Sequence, residues 1–471
     1  MSLTRRAFLQ SAGAALGAAA LPLPTPAAPA SALELRASAF RQRIRATGGE
    51  TEVWGFNNSA PGPVLRFRQG DSFHARVRNA LAQPTTVHWH GLRVPNAMDG
   101  VPQVTQKPIE PGKAFDYRFP IVDSGTYWYH PHQSSFEQVP RGLFGLFIVE
   151  EEKPLEVDRE VAWVINDFKL RPDGGQVEDF GKIMDFGAGG RLGNTMAING
   201  RAAGEQTKLE LRPNERIRLR LCNAASARIF LLEFAGHQPW VIALDGQSVA
   251  PYPAPALLQL GPGQRVDLVL DGTASPSQGY AVSDRRDEGA RLATIAYAGK
   301  PVREKALGAP AALAANRHVE PDLASATPHF LVFEGGVLGQ PAIGKVDGKA
   351  LDMKTIMEQH GLTWTMNYTA QHEHAHMHEP LFRFRRGEHA TIKMLNNTDF
   401  EHPMHMHGHF FKVLALDDKP LRTPVWRDTV MIGKRGSCDI AFVAENPGEW
   451  MFHCHILDHA AGGMMGTIAV E

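Results

Sequence analysis

Near its C-terminal end the chain crowds imidazole, thiol and thioether side chains, all of which bind metals, into one short stretch. These residues are His453, Cys454, His455, His459 and Met464. The apolar residues Trp450, Met451 and Phe452 directly before them predict the end of a buried strand. Alternate side chains of a strand point to opposite faces, so His453 and His455, about 6.6 Å apart along the backbone, should face away from Cys454. One segment can then hold metal on both of its faces.

A buried cysteine between two core histidines would give the same triplet, so the triplet alone leaves that alternative open. The chain, however, contains several His-x-His pairs, and on a strand the two rings of each pair lie on one face. Four of these pairs are His88 with His90, His130 with His132, His405 with His407, and His453 with His455. This repetition favours metal binding.

Three segments, 66–79, 210–223 and 383–396, align without a gap. Each has a turn pair and then alternates polar and apolar residues up to a closing Asn, the pattern of a half-buried strand after a tight turn. The repeat predicts three homologous all-β domains. The predicted boundaries are 33–152, 158–300 and 325–471, with linkers at 150–158 and 300–328.

The His-x-His pairs fall in the first and third predicted domains. When these two domains are aligned, Pro131 stands where the third has Cys454, and Thr85 stands where it has His402. The first domain therefore keeps both pairs but lacks the thiol site. The matching segment of the middle domain, 266–280, has no histidine, which predicts a spacer or a pocket wall.

The imidazoles of the four pairs exceed what one first-row metal ion can bind, but they suit three ions. Imidazole and thiolate ligands favour copper over magnesium or calcium. Zinc accepts the same ligands, but a structural zinc site closes with four of them. Copper is therefore the predicted metal.

The motifs resemble those of three-domain multicopper oxidases of the laccase group across essentially the whole mature chain. The resemblance implies an all-β fold of three consecutive cupredoxin-like domains, each a Greek-key β-sandwich or barrel, and four copper ions. It implies a type 1 copper at His402, Cys454, His459 and axial Met464, a type 2 copper at His88 and His405, and a type 3 pair at His90, His130, His132, His407, His453 and His455.

The resemblance also implies four one-electron oxidations at the type 1 copper, coupled to the reduction of dioxygen to water at the other three coppers. The predicted donor is a phenol or an aromatic amine. The first alternative is a metallo-oxidase that oxidises Cu(I) in copper tolerance, and the second is a copper-binding relative that is not an enzyme. The complete ligand set argues against the second alternative.

Water formation needs protons, and Asp99 is the predicted proton relay near the type 2 copper because an acid follows the first motif in many relatives. The competing interpretation is that Asp99 and Gly100 simply form a turn. Several bacterial relatives have a Glu directly after the last motif His, whereas this chain has Ala460. The resemblance therefore does not extend to this residue of a second proton route.

The segment 353–378 is rich in Met and His, and its run 371–378 predicts either a loop that binds extra copper or a solvated polar loop. The residues concerned are Met353, Met357, His360, Met366, His372, His374, His376, Met377 and His378. The segment bears directly on the choice between a phenol and Cu(I) as donor.

Composition bounds the partners and the location. Lys and Arg (49) balance Asp and Glu (50), so neither nucleic acid nor an acidic membrane surface is an expected partner. No stretch reaches the roughly 20 apolar residues of a membrane span. Residues 1–32 resemble a twin-arginine export signal, which predicts a periplasmic or otherwise exported protein. A monomer is expected, with Cys222 and Cys438 as free buried thiols.

Overall fold

The computed structural model describes residues 32–276, 278–339, 343–372 and 379–471. Within these ranges strands dominate, and each helical segment is five residues long or shorter. No helix among them has the length and apolar character to cross a membrane. The predicted export signal, apart from residue 32, lies outside the described residues, as do His374, His376, Met377 and His378.

The first domain is built from two sheets, with strand orders β2-β1-β4-β6 and β3-β8-β7-β5. Its strands are β1 Leu33–Gln42, β2 Thr51–Phe56, β3 Leu65–Arg68, β4 Ser72–Asn79, β5 His88–His90, β6 Ala114–Pro120, β7 Gly125–His130 and β8 Gly145–Glu150. A 3₁₀ turn, Asn96–Met98, and the short helix α1, Ser135–Gln138, lie between strands. Strands β5 and β7 pair antiparallel and bring His88 opposite His130.

The second domain has sheets of order β11-β10-β9-β13-β18-β15-β16 and β12-β20-β19-β14-β17. Its elements are β9 Arg159–Phe168, α2 Ile183–Gly187, β10 Thr195–Ile198, β11 Arg201–Ala202, β12 Lys208–Leu211, β13 Arg216–Asn223, β14 Phe230–Phe234, β15 Trp240–Leu244, β16 Gln247–Pro253, β17 Leu258–Leu260, β18 Arg265–Asp271, β19 Tyr280–Asp284 and β20 Ala290–Tyr297.

The third domain has sheets of order β24-β21-β26-β31-β28-β29 and β25-β33-β32-β27-β30, with the hairpin β22-β23 beside them. Its strands are β21 Thr327–Gly335, β22 Ile343–Val346, β23 Lys349–Asp352, β24 Trp364–Met366, β25 Phe382–Phe384, β26 His389–Asn396, β27 His402–Met406, β28 Phe411–Leu416, β29 Lys419–Arg427, β30 Thr429–Ile432, β31 Ser437–Val443, β32 Gly448–Cys454 and β33 Met465–Val470. Its helical segments are α3 Met353–Thr355, a π-helical turn Ile356–His360 and α4 Leu457–Ala461.

The all-β prediction is confirmed, and the three aligned segments form equivalent strands, β4, β13 and β26. Each pairs in parallel with the first strand of its own domain and antiparallel with a later one. A single apolar core contains Trp89 and Tyr129 of the first domain together with Trp450 and Phe452 of the third. These two domains therefore face each other closely, which is what a shared site requires.

The closing Asn of each repeat is buried, and its side chain fastens the chain after the strand. In the first domain, Asn79 Nδ2 donates to the carbonyl oxygens of Gln83 and Ile109 at 2.9 and 2.7 Å. Its Oδ1 accepts the backbone N–H of Leu81 at 2.9 Å. The corresponding residues Asn223 and Asn396 make the same three kinds of bond. The repeat thus preserves a backbone anchor.

An Asn79→Ala variant should lose about 2–4 kcal/mol of unfolding free energy, because buried backbone groups would lose their partner. The measurement is urea unfolding of the copper-free protein. Asn397→Ala is the matched control because Asn397 is exposed, and it should change stability by about 0.5 kcal/mol or less. Equal losses in the two variants would contradict the anchoring role.

Candidate metal centre

Strand β32 directs the triplet as predicted. Cys454 Sγ lies 3.6 Å from His402 Nδ1 and 3.6 Å from His459 Nδ1. On the other face, His453 Nε2 lies 3.1 Å from His407 Nε2. The alternation of side chains along this strand therefore places donor atoms on both of its faces, and the prediction is confirmed.

His402, Cys454 and His459 form what we call the sulfur group. Their donor atoms lie within 4.8 Å of one another and all three side chains are buried. His459 lies on helix α4, not on a strand. Met464 is also buried, and its backbone accepts from Cys454 N–H at 3.1 Å and donates to the His459 carbonyl at 2.9 Å. The backbone of the fourth predicted ligand is thus tied to that of Cys454 and His459.

Hydrogen bonds decide which ring nitrogen of each sulfur-group histidine is free. His459 Nε2 is 2.6 Å from the Ala188 carbonyl oxygen. Because a carbonyl only accepts, Nε2 carries the proton and the Nδ1 lone pair points toward Cys454. His402 Nε2 contacts Thr398 Oγ1 at 2.8 Å, which likewise leaves Nδ1 for the sulfur group.

The eight imidazoles of the His-x-His pairs meet between the first and third domains, and we call them the histidine cluster. Each side chain is at most 2% exposed. Their nitrogens fall into three groups, of which the first two share His90: His88, His90 and His405; His90, His130 and His455; and His132, His407 and His453. Every predicted pair is brought into this one volume.

Several cluster rings are held by the same device, in which Nδ1 donates to a backbone carbonyl and leaves the Nε2 lone pair free. The carbonyl contacts are His88 to Asp99 at 2.9 Å, His130 to Pro131 at 3.0 Å, His405 to Asp428 at 2.9 Å and His453 to Cys454 at 2.8 Å. His90 is reversed, since its Nε2 faces Asp428 Oδ1 at 3.2 Å and its Nδ1 is left over.

The leftover nitrogens fit a metal. Within the described part of the chain, the following atoms are buried without a hydrogen-bond partner: Nε2 of His88, His130, His132 and His405, Nδ1 of His90, and both ring nitrogens of His455. A buried polar atom without a partner is costly, and so many in one volume are satisfied together by cations. Imidazole donors at this density suit copper.

Burial keeps the donors in the form that binds a cation. It lowers the pKa of the histidines well below the usual value at His90, His130, His132, His402, His407, His453 and His455. It lowers the pKa of His459 to about 4. Neutral imidazole is the form that ligates metal. Burial also raises the pKa of the Cys454 thiol, so a metal must displace a proton there.

Asp99 joins the two halves of the histidine cluster. Its Oδ2 accepts from His407 Nδ1 at 2.8 Å, and its backbone oxygen accepts from His88 Nδ1. The turn interpretation also holds, because Asp99 ends the 3₁₀ turn and Gly100 has φ of 82°. The structure therefore places the acid at the cluster, and its proton-relay role stays a prediction.

The position after the last histidine offers no proton carrier. Ala460 is buried in an apolar cluster with Val101, Met451 and Met465. Asp458, directly before His459, accepts the backbone N–H of Arg191 at 3.0 Å. Burial raises the pKa of Asp458 to about 7.

The sequence did not indicate several residues that contact the rings of the histidine cluster and help to orient them. Thr429, the first residue of β30, and Asp428 directly before it contact His90 and His405. The middle domain, predicted to be a spacer or pocket wall, reaches the cluster directly: a Cβ on Gly263 would lie 2.7 Å from the ring of His455. A charged residue before an apolar run, as at Asp428, indicates a buried partner but does not name it.

Comparison with known proteins identifies the family of the chain. Profiles described as multicopper oxidase match residues 39–154, 176–300 and 348–471. Multicopper oxidase MmcO of Mycobacterium tuberculosis is 29% identical over 451 residues, which cover 90% of this chain and 84% of that protein. The crystal structure of a multi-copper oxidase from Pseudomonas thermotolerans is 32% identical with a TM-score of 0.81, covering 93% of this chain and 98% of that one. The chain belongs to the multicopper oxidase family.

A further relative of this multicopper oxidase is Laccase-1 of Fomitopsis schrenkii, which is 28% identical over 467 residues, 87% of this chain and 81% of that protein. Family membership makes the chain an oxidoreductase that contains copper and uses dioxygen and a reducing substrate. The three domains are the cupredoxin-like domains of that family.

Proposed function

We propose that this multicopper oxidase is laccase-like and oxidises small phenols or aromatic amines with dioxygen as electron acceptor, using four copper ions. The type 1 ion would be held by His402, Cys454, His459 and Met464, the type 2 ion by His88 and His405, and the type 3 pair by His90, His130, His132, His407, His453 and His455. Copper would supply one-electron redox chemistry at the sulfur group and at the histidine cluster.

The observation that carries this proposal is the covalent adjacency in β32. Cys454 belongs to the sulfur group, while its neighbours His453 and His455 belong to two different groups of the histidine cluster. The chain itself therefore links the two sites through a few bonds. Such a connection suits an oxidase that accepts electrons at one site and uses them at another, and a copper store would not need it.

A pocket of about 410 Å³ over the sulfur group supports an organic donor. Its apolar wall is formed by Leu192, Ala227, Phe400 and Ile456, and His459 forms part of its lining. The Phe400 ring lies 6.2 Å from the His459 ring, centroid to centroid. An apolar, partly aromatic wall of this size suits a single aromatic ring.

Charged side chains at the same pocket mostly pair with each other. Arg228 pairs with Asp287 at 3.1 Å, Arg286 pairs with Glu401, and Lys434 completes the charged lining. Nearly balanced charge of this kind favours a neutral donor over a metal cation.

The second candidate function is oxidation of Cu(I). It is favoured by His360 and His372, whose ring centroids lie 6.0 Å apart, and by the partly exposed Met353 and Met357 in the same segment. Imidazole and thioether are ligands that Cu(I) accepts. For either donor, we propose a monomer exported to the periplasm by residues 1–32, with no nucleic-acid partner.

A Leu192→Trp variant tests the organic donor. Filling the pocket should raise the KM for a small phenol about tenfold, equivalent to about 1.4 kcal/mol of lost binding, and leave Cu(I) oxidation unchanged. Leu338→Trp is the control, because Leu338 is exposed outside the pocket. Oxygen uptake is measured with each donor, with and without added Cu(II).

The outcomes separate the two functions. Phenol turnover that requires added Cu(II) and disappears in a His360→Ala/His372→Ala variant would favour Cu(I) as the donor. Copper-loaded protein that consumes no oxygen with either donor would refute both.

A further inference from the structure

Arg265, the first residue of β18 in the middle domain, is completely buried and uses every N–H of its guanidinium. Nε donates to the Thr126 carbonyl at 3.1 Å. Nη1 donates to the Gly263 carbonyl at 2.9 Å and to Asp428 Oδ1 at 2.8 Å. Nη2 donates to the Asp245 carbonyl at 3.0 Å and to Asp428 Oδ2 at 2.5 Å. One side chain thus binds groups from all three domains.

The carboxylate bound by Arg265 belongs to Asp428, which also contacts the histidine cluster. Asp428 Oδ1 lies 3.2 Å from His90 Nε2 and accepts from Thr429 Oγ1 at 2.7 Å. The backbone oxygen of Asp428 accepts from His405 Nδ1. The rings of His90 and His405 stack with centroids 3.7 Å apart. Asp428 therefore sets the orientation of one ring from the first domain and one from the third.

The surroundings are shaped to admit this ion pair. Gly91, directly after His90, has φ of 83°, and a Cβ there would lie 2.5 Å from Arg265 Nη2 and 2.6 Å from Asp428 Oδ2. A bidentate guanidinium–carboxylate pair has a fixed geometry, which an ammonium group does not reproduce. A carboxylate buried without its cation would be strongly unfavourable.

We propose that Arg265 is a positioning residue for the histidine cluster: it holds Asp428 so that His90 Nδ1 and His405 Nε2 point into the shared volume. The domain that contributes none of the predicted metal ligands then determines how two of them are aimed. This inference rests on the proposed copper cluster. It adds that copper binding there depends on the middle domain, which supplies none of the predicted ligands.

The test compares Arg265→Lys and Arg265→Met with wild type by copper titration, by electron paramagnetic resonance of the cluster copper and by the blue absorption of the sulfur group. Both variants should bind copper at the histidine cluster about 10-fold more weakly, which is the smaller loss of metal affinity expected when a residue that orients a ligand is removed. The paramagnetic resonance spectrum of the cluster copper should change, and the blue absorption band should not. Lysine should not restore wild-type copper binding, because an ammonium group cannot make the bidentate contact with the Asp428 carboxylate.

Arg218→Lys is the matched control. Arg218 is equally buried in the same domain and binds Asp267 and Glu151, away from the cluster. Its replacement should leave cluster copper affinity and spectra as in wild type. Asp428→Asn should reproduce the Arg265 effect, and the Arg265→Lys/Asp428→Asn double variant should lose less than the two single losses added together, since both act through one contact.

Three results would overturn the inference. One is wild-type cluster affinity and spectra in Arg265→Lys. Another is an equal loss in Arg218→Lys, which would indicate general loosening of the middle domain. The third is additive losses in the double variant. Wild-type protein that binds no copper at the cluster would instead refute the proposed function, and the inference with it.

Discussion

A Cys454→Ser variant is expected to lose its blue absorption band and at least about 100-fold of its donor-oxidation rate. Cys454 supplies the sulfur within 3.6 Å of both His402 and His459, and a hydroxyl is a poor substitute for a thiolate with copper. Because loss of an outer contact to a ligand already costs 10- to 100-fold, loss of the ligand itself should cost no less. The measurements are the visible spectrum and steady-state phenol oxidation.

The chain provides a matched control for this substitution. Cys438 is a free, buried cysteine on β31, away from both donor groups, and the prediction that it and Cys222 are free thiols is confirmed. Cys438→Ser should keep the blue band and at least half of the activity. A Cys454→Ser protein that remained blue would contradict the proposed type 1 site.

An Asp99→Asn variant should slow dioxygen reduction by about 10- to 100-fold while the blue centre is still bleached by the donor at the wild-type rate. The substitution removes the carboxylate charge next to His407 Nδ1, and with it a group that can accept and return a proton. The two half-reactions are followed separately by stopped flow: bleaching without oxygen, then recovery of colour when oxygen is added.

Asp123→Asn serves as the control for loss of a buried carboxylate. Asp123 is as buried as Asp99 and belongs to the same domain, but it binds Arg93 and touches no cluster histidine. It should recover its colour at the wild-type rate. Slow bleaching together with slow recovery in Asp99→Asn would point to damage at the sulfur group and would contradict the assigned role.

The sequence predicted the strands well because their signal is local. The three aligned segments carry the strand alternation and its closing Asn within fourteen residues, and the structure turns each into the same strand. The His-x-His spacing similarly determined which rings share a face. These features can be recognised in a single sequence because the alternation and the His-x-His spacing each lie within a short stretch of chain.

The supports of the site could not be predicted in this way. Arg265 and Asp428 are 163 residues apart, and no spacing rule connects them. The Ala188 carbonyl that fixes His459 is a backbone group, which has no sequence signature. The middle domain was assigned as a spacer because only metal ligands were sought there. An arginine is not a metal ligand, so that search passes over Arg265.

The near-complete burial of the cluster rings has a consequence for how copper is acquired. With the first and third domains closed on each other, an ion can enter or leave readily only when the structure opens locally, and such openings are rare in a packed core. We therefore expect chelators to strip copper from the folded enzyme slowly. The copper content of each molecule would then depend on the copper concentration present when its first and third domains packed together.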